Sequence, residues 1–378
     1  MKKAGISRLF LRIYGMKLMR FYKKWPKLHS WLLVDLGLLL LFVLTRNNRA
    51  WMNALTTHVT EPLKQGIASL TYRVEFSVAE LLYMSAICVG VVWIAHSIRC
   101  VLGSRRKWQA LYPRLLGTIC AVLSIYVGMT FLWGVNYYTD TFQEKSGIYG
   151  RGATVTELEE LTTIFAQGVL ETWDKVERDE NGLFAESREE ILEAAPYIYQ
   201  NLYEEFPFLE MEDRVPKAPV FSNFISMLDF SGFYFPFTGE ANLNVHSPAM
   251  YLPATVVHEL AHLRGIASEQ ECNFLGIVGA TASENPAYQY SGWLMGYVYA
   301  GNALYRADPE AWAAIRATIP EEVVADLRYH SQYWASFEGT INKVASNTYD
   351  SFLKGYGDKD GIRSYGTVVD MLITYYIG

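Results

Sequence analysis

The chain has 378 residues, 51% hydrophobic, 15% aromatic and 19% charged, a balance that excludes a disordered chain, a low-complexity linker and a collagen-like repeat. Four widely spaced cysteines (Cys88, Cys100, Cys120, Cys272) form neither a disulfide framework nor a CxxC metal knuckle, so burial must hold the fold together. The net charge of −6 argues against a nucleic-acid partner, yet it averages two unlike halves: 18 Lys and Arg against 4 Asp and Glu up to Tyr137, and 15 against 35 from Tyr138 on.

The basic half carries three apolar runs, and about 17 to 25 apolar residues is the length that crosses a bilayer as a helix. The first, Trp31 to Thr45, contains Asp35; extended from Leu28 to Arg46 it reaches roughly 28 Å at 1.5 Å per residue. Asp35 lies near one end, where it is tolerated or pairs with a neighbouring helix. The second and third, Leu81 to Ser97 and Leu115 to Tyr137, hold no charge and read as spanning helices. A cleavable signal peptide competes for the first run, but thirty residues precede it and no A-x-A-like site follows Leu44.

Residues 1–30 hold nine basic residues (Lys2, Lys3, Arg8, Arg12, Lys17, Arg20, Lys23, Lys24, Lys27) and no acid. The loop after the second run adds Arg99, Arg105, Arg106, Lys107 and Arg114. Basic flanks accumulate on the cytoplasmic side, so three crossings put everything after Tyr137 outside the cytoplasm. Beside an apolar run such residues signal topology and headgroup contact rather than a nucleic-acid arm. The expected organisation is a basic cytoplasmic tail (1–30), a three-helix transmembrane region (31–137) and an extracytoplasmic domain (138–378).

In that domain, Thr154 to Glu205 reads as helices, with Leu158, Leu161, Ile164 and Phe165 at helical spacing and the acids around Glu186 to Glu193 on a solvated face. Prolines then break the chain from Phe206 to Tyr251, and loops or short strands fit best. The aromatics crowding this stretch (Phe221, Phe224, Phe230, Phe233, Tyr234, Phe235, Phe237) read first as core, with a substrate cleft or the outer leaflet as alternatives. Glu240 to Val245 alternates polar and apolar residues as an edge strand would, open to an added peptide strand or covered by the protein itself. The tail Val368 to Ile377 is apolar but too short to span.

Chemistry concentrates at His258-Glu259-Leu260-Ala261-His262, an HExxH sequence. Pro253 suits a first helical turn, Ala254 to Arg264 has no breaker, and Gly265 supplies a left-handed stop. One helix thus carries both histidines on one face, within reach of a single Zn2+ at about 2.1 Å. Glu259 lies beside them, placed to take a proton from a metal-activated water and deliver it to a leaving amine. A third ligand is needed, and Glu269 and Glu271 are the choices. Ser268 and Glu271 form a capping-box pattern that gives Glu271 a structural role, leaving Glu269 as the better ligand. Asn273, one turn on, is placed to hold a ligand histidine by its other ring nitrogen. His330, Tyr349 and Tyr365 are candidate oxyanion stabilisers that otherwise read as packing or surface residues.

HELAH with a glutamate on a following helix resembles the glutamate-type zinc metallopeptidases, in which a Glu and an acidic or amide residue four positions later stand where Glu269 and Asn273 stand here. The gap of seven residues from His262 to Glu269 is short for that pattern and implies a tight turn at Gly265. A closer resemblance covers nearly the whole chain: three membrane helices, Trp133-Gly-Val-Asn-Tyr137, Thr238-Gly-Glu-Ala-Asn242, Glu269-Gln-Glu-Cys-Asn-Phe274 and Tyr349-Asp-Ser-Phe-Leu-Lys354 together resemble an uncharacterised bacterial membrane family, domain of unknown function 3810. It implies a multi-pass protein of the bacterial cell membrane with a metallopeptidase-like body.

The expected fold is therefore mainly α: three N-terminal transmembrane helices followed by an α-rich, α+β zincin-like extracytoplasmic domain. The expected function is zinc-dependent hydrolysis of a peptide or protein substrate outside the cytoplasm by a protein anchored in the lipid bilayer. The alternatives are a non-catalytic zinc sensor or assembly factor, and a zinc hydrolase acting on a non-peptide cell-wall bond.

Overall fold

Apolar runs of this length satisfy their backbone within a bilayer only as helices, and the structure, a computed structural model, is mainly helical with one β-hairpin. It describes residues 22–356 and 365–378, so the basic residues from Lys2 to Arg20 lie outside the described residues. The chain opens with α1 (Pro26–Thr45), continues through the short α2 (Arg49–Leu55), a wide turn and α3 (Glu61–Thr71), and then makes the long helices α4 (Val78–Gly103) and α5 (Lys107–Leu132). Among these, α1, α4 and α5 are long and apolar enough to cross a membrane.

Asp35 is buried where α1 meets α5, accepting a hydrogen bond of 2.9 Å from Ser124, whose hydroxyl also receives the Trp31 indole N–H. Paired in this way the acid faces protein and not lipid. Helix α5 stops at Leu132, five residues short of the apolar run's end. There the chain tightens into a 3-10 turn, Gly134–Tyr138, which the Tyr356 ring approaches so closely that a Cβ on Gly134 would lie 2.2 Å from it.

The body follows as α6 (Phe142–Ser146), α7 (Val155–Thr172), α8 (Arg188–Ile198), α9 (Ser222–Met227), β1 (Gly232–Phe235), β2 (Glu240–Leu243), α10 (Leu252–Leu263), α11 (Glu269–Thr281), α12 (Pro286–Ala307), α13 (Pro309–Arg316), α14 (Glu321–Ala335), α15 (Thr340–Tyr356) and α16 (Tyr365–Tyr376). A capping box of Thr154 and Glu157 starts α7, which buries Leu158, Leu161, Phe165 and Val169. It packs closely on α12 because Gly168 admits the Trp293 indole and Gly296 admits the Phe165 ring. The apolar tail completes this core, with Val368, Val369, Met371, Leu372 and Ile373 all buried in it.

The hairpin pairs Gly232 with Leu243 and Phe235 with Glu240. Its outer strand is β1. The strand expected at the edge, β2, is covered on its far side by Lys217, whose N–H donates to the Ala241 carbonyl and whose carbonyl accepts from Leu243, both at 2.8 Å. The aromatics expected mainly in the core divide instead: Phe235 packs at a tilt against Tyr83 of α4, Phe237 fills the space left by Gly128 of α5, and Phe221 and Phe224 are exposed. A hairpin tip set against two apolar helices finds its burial there.

Polar contacts make the same junction. The Glu240 carboxylate accepts the Val78 and Ala79 N–H groups at the start of α4, at 3.2 and 2.8 Å, where helical N–H groups have no internal partner. Ser77 donates to Asn242 at 2.6 Å. The buried Lys217 ammonium donates to the carbonyls of Thr71, Val74 and Phe76 and pairs with Glu240 at 3.4 Å. Further along, Asn53 exchanges two hydrogen bonds with Asp140, and Thr60 donates to the Phe131 carbonyl. The segment between α1 and α4 therefore lies against the body, at the same end of the long helices.

Candidate metal centre

Helix α10 has Pro253 in its first turn, where a missing N–H costs nothing, and Gly265 just beyond its end at φ +81°. Arg264 fixes that end: its guanidinium reaches both oxygens of Asp213 (2.7 and 2.8 Å) and the Leu209 carbonyl (2.8 Å), and lies 3.5 Å above the Tyr199 ring. On the helix so held, His258 and His262 share a face, their ring centroids 4.9 Å apart.

Helix α11 reaches this face because two glycines let it close on α10. Gly276 sits against the Ala254 carbonyl and Gly279 against Val257, where a Cβ would come within 3.1 and 2.7 Å. Its first residue, Glu269, then sets its two carboxylate oxygens 3.3 Å from His258 Nε2 and 3.5 Å from His262 Nε2. One ligand atom from each of the three side chains lies within 4.8 Å of the other two.

The imidazole of His262 is oriented from behind, with Nδ1 2.8 Å from the Ile266 carbonyl, so Nδ1 carries the proton and Nε2 turns to Glu269. Cys272 Sγ lies 3.3 Å from the same Nδ1; burial pushes this thiol up to about 12, which keeps it neutral. Burial disfavours charge on both His262 and Glu269, yet the Glu269 carboxylate carries His262 well above its ordinary value, and the two imidazoles hold Glu269 well below its own.

Glu259 lies beside this ligand set without joining it. It is buried, its Oε2 has no hydrogen-bond partner, and burial, only partly offset by the neighbouring histidines, raises it to about 7. Gly232 of β1 makes room for it, since a Cβ there would lie 2.6 Å from Glu259 Oε1. On the other side the Trp133 indole meets the His262 ring edge to face at 5.5 Å, and the Lys64 ammonium, paired with Glu61 at 2.7 Å, sits over the same indole.

Of the remaining candidates, Tyr349 on α15 comes to the centre, its hydroxyl donating to Glu269 Oε1. Glu271 faces away and accepts the Phe142 and Gln143 N–H groups at the start of α6, at 3.0 and 3.1 Å. Ser268 caps α11 through the Glu271 N–H, while the Glu271 carboxylate is spent on α6. Among the described residues no hydrogen bond joins Asn273 to either histidine; the Ile266 carbonyl holds His262 instead. His330 packs edge-on against Tyr251 and accepts the Trp334 indole N–H at 3.0 Å. Tyr365 opens α16, and its side chain lies outside the described residues.

Sequence reasoning passed over Gly232, Ile266 and the Glu61–Lys64 pair, whose roles arise from elements distant in the chain. A donor set of two imidazole nitrogens and one carboxylate suits zinc with a fourth position left open. Comparison with curated proteins and with solved structures gives no match. Residues 56–373 match the sequence profile of the family described as "Protein of unknown function (DUF3810)", and the chain belongs to that family.

Proposed function

We propose that this protein is a membrane-anchored, zinc-dependent metallopeptidase whose body is a zincin-like domain on the extracytoplasmic side. The convergence of His258 Nε2, His262 Nε2 and the Glu269 carboxylate, with Glu259 buried and unpartnered beside them, carries this reading. His258, His262 and Glu269 would hold the ion. A bound zinc ion supplies Lewis acidity and makes water a usable nucleophile near neutral pH. Glu259 takes the proton of the attacking water and passes it to the leaving amine. Gly232 keeps the space in which the Glu259 carboxylate swings, and the Ile266 carbonyl holds His262 in the tautomer that leaves Nε2 free. Tyr349, hydrogen-bonded to Glu269, would donate to the charge that develops on the scissile carbonyl.

The test uses the full chain in detergent or nanodiscs. Metal analysis should find one zinc per chain in the wild type and loss of it in His258→Ala, and Glu259→Gln should keep the metal and lose hydrolysis of a peptide library. Retained hydrolysis in Glu259→Gln sinks the mechanism. Stoichiometric zinc without turnover on any peptide favours a sensor or assembly factor, and turnover on cell-wall fragments alone favours the non-peptide hydrolase.

A further inference from the structure

The stretch Ala218 to Leu228, which contains α9, has no charged residue. Its polarity is reversed relative to a water-facing helix: Ser222 and Ser226 point inward, Ser222 donating to the Pro219 carbonyl and Ser226 bonded to Tyr333 and Asn244. The large outward side chains are Val220, Phe221, Phe224 and Met227, exposed by 76, 53, 55 and 37%, with Asn223 the one exposed polar residue among them. A short element that buries its serines and presents its large apolar side chains is built for an apolar medium.

Its place in the fold says which medium. The Glu80 carboxylate, in the first turn of α4, accepts the N–H groups of Val220 and Phe221 at 3.0 and 2.7 Å. The finger is therefore tied to the end of a helix long enough to cross the membrane, level with the point where that helix becomes apolar. Leu81, Tyr83 and Met84 on the next turn are exposed as well, so the apolar surface of the finger continues that of α4. We infer that Val220, Phe221, Phe224 and Met227 insert into the headgroup and upper acyl region of the bilayer beside α4. The finger leads within a few residues to Phe230, whose ring packs edge-on against Tyr349, the partner of Glu269. Bilayer contact thus lies one aromatic pair away from the three-ligand cluster, a proximity that holds whether or not the cluster binds metal.

Spin labelling tests this in the full chain, with the accessible Cys88 and Cys100 replaced by serine. Nitroxides are placed singly at Val220→Cys, Phe224→Cys, Val92→Cys in mid α4 and Tyr197→Cys on the body, in nanodiscs of phosphatidylethanolamine and phosphatidylglycerol. Positions 220 and 224 should favour collision with dissolved oxygen over an aqueous nickel chelate, as 92 does, and 197 should show the inverse ratio. Aqueous ratios at 220 and 224 with a lipid ratio at 92 overturn the insertion and leave the spans standing. An aqueous ratio at 92 overturns both. Dipolar broadening between labels at 224 with oxygen and nickel both excluded assigns the finger to a second copy of the chain and overturns the bilayer contact.

Discussion

A carboxylate with no hydrogen-bond partner, buried beside two imidazoles, responds to small displacements, and Gly232 controls how far Glu259 can move. A Cβ at position 232 would lie 2.6 Å from Glu259 Oε1, so Gly232→Ala must push the carboxylate aside. A misplacement of about 1 Å costs on the order of 100-fold in rate; Gly232→Ala is expected to lose that much of the proposed peptidase activity while leaving the proposed zinc site as occupied as in the wild type, which metal analysis beside kinetics would check. His330 sits outside this chemistry and sets a different pH dependence. Burial pushes it down to about 4, so it is neutral when folded and takes up a proton on unfolding below its ordinary value of 6.5. Its contribution is complete above pH 6.5 and is lost as pH falls toward 4, by up to about 3 kcal/mol. His330→Gln, whose amide oxygen can still accept the Trp334 N–H, should lose less stability than wild type over that interval in thermal melts of the detergent-solubilised protein.

At the scale of elements, the hairpin is the part that joins the centre to the long apolar helices. One face of β1 leaves room for Glu259, while the tip rests on Tyr83 and Gly128 and the carboxylate of Glu240 caps α4. Removing one member of a buried ion pair leaves the other charge without compensation, a cost of roughly 3 to 5 kcal/mol. Glu240→Ala should therefore lower the thermal midpoint markedly. The double variant Lys217→Met, Glu240→Leu should recover much of the loss, because no unpaired charge remains; equal instability of the two variants would show that capping of α4, not charge burial, dominates. The HExxH helix was legible in advance because its signals are local: Pro253 to start it, Gly265 to stop it, and a four-residue histidine spacing. The outer position of β1 was not, because the far side of β2 is covered by an isolated bridge from Lys217, remote in sequence, and alternation of polar and apolar residues does not reveal which edge is covered.

For the whole molecule, the family profile begins at residue 56 and runs to 373, across the point where the long helices give way to the body. The packing explains that span. Thr71, Val74 and Phe76 hold Lys217, Thr71 also donates to the Thr238 carbonyl, and Lys64 lies over Trp133 beside His262. A fragment of residues 138–378 loses all of these partners and exposes the hairpin tip. It should bind zinc poorly and unfold without a cooperative transition, whereas the full chain in detergent shows one; circular dichroism melts of the two separate the outcomes.

The three apolar runs of the basic half, with the acidic half behind them, already determined that three long apolar helices come first in the chain, because helix length and apolarity are properties of contiguous residues. The register of His258, Glu259 and His262 was likewise local. Only the tertiary structure decided that Glu269 faces the histidines while Glu271 turns to α6, that Tyr349 and not His330 reaches the centre, and that Phe221 and Phe224 point outward. Each of these depends on how closely two elements approach, as at Gly276 and Gly279, and that distance is set by packing between residues far apart in the chain.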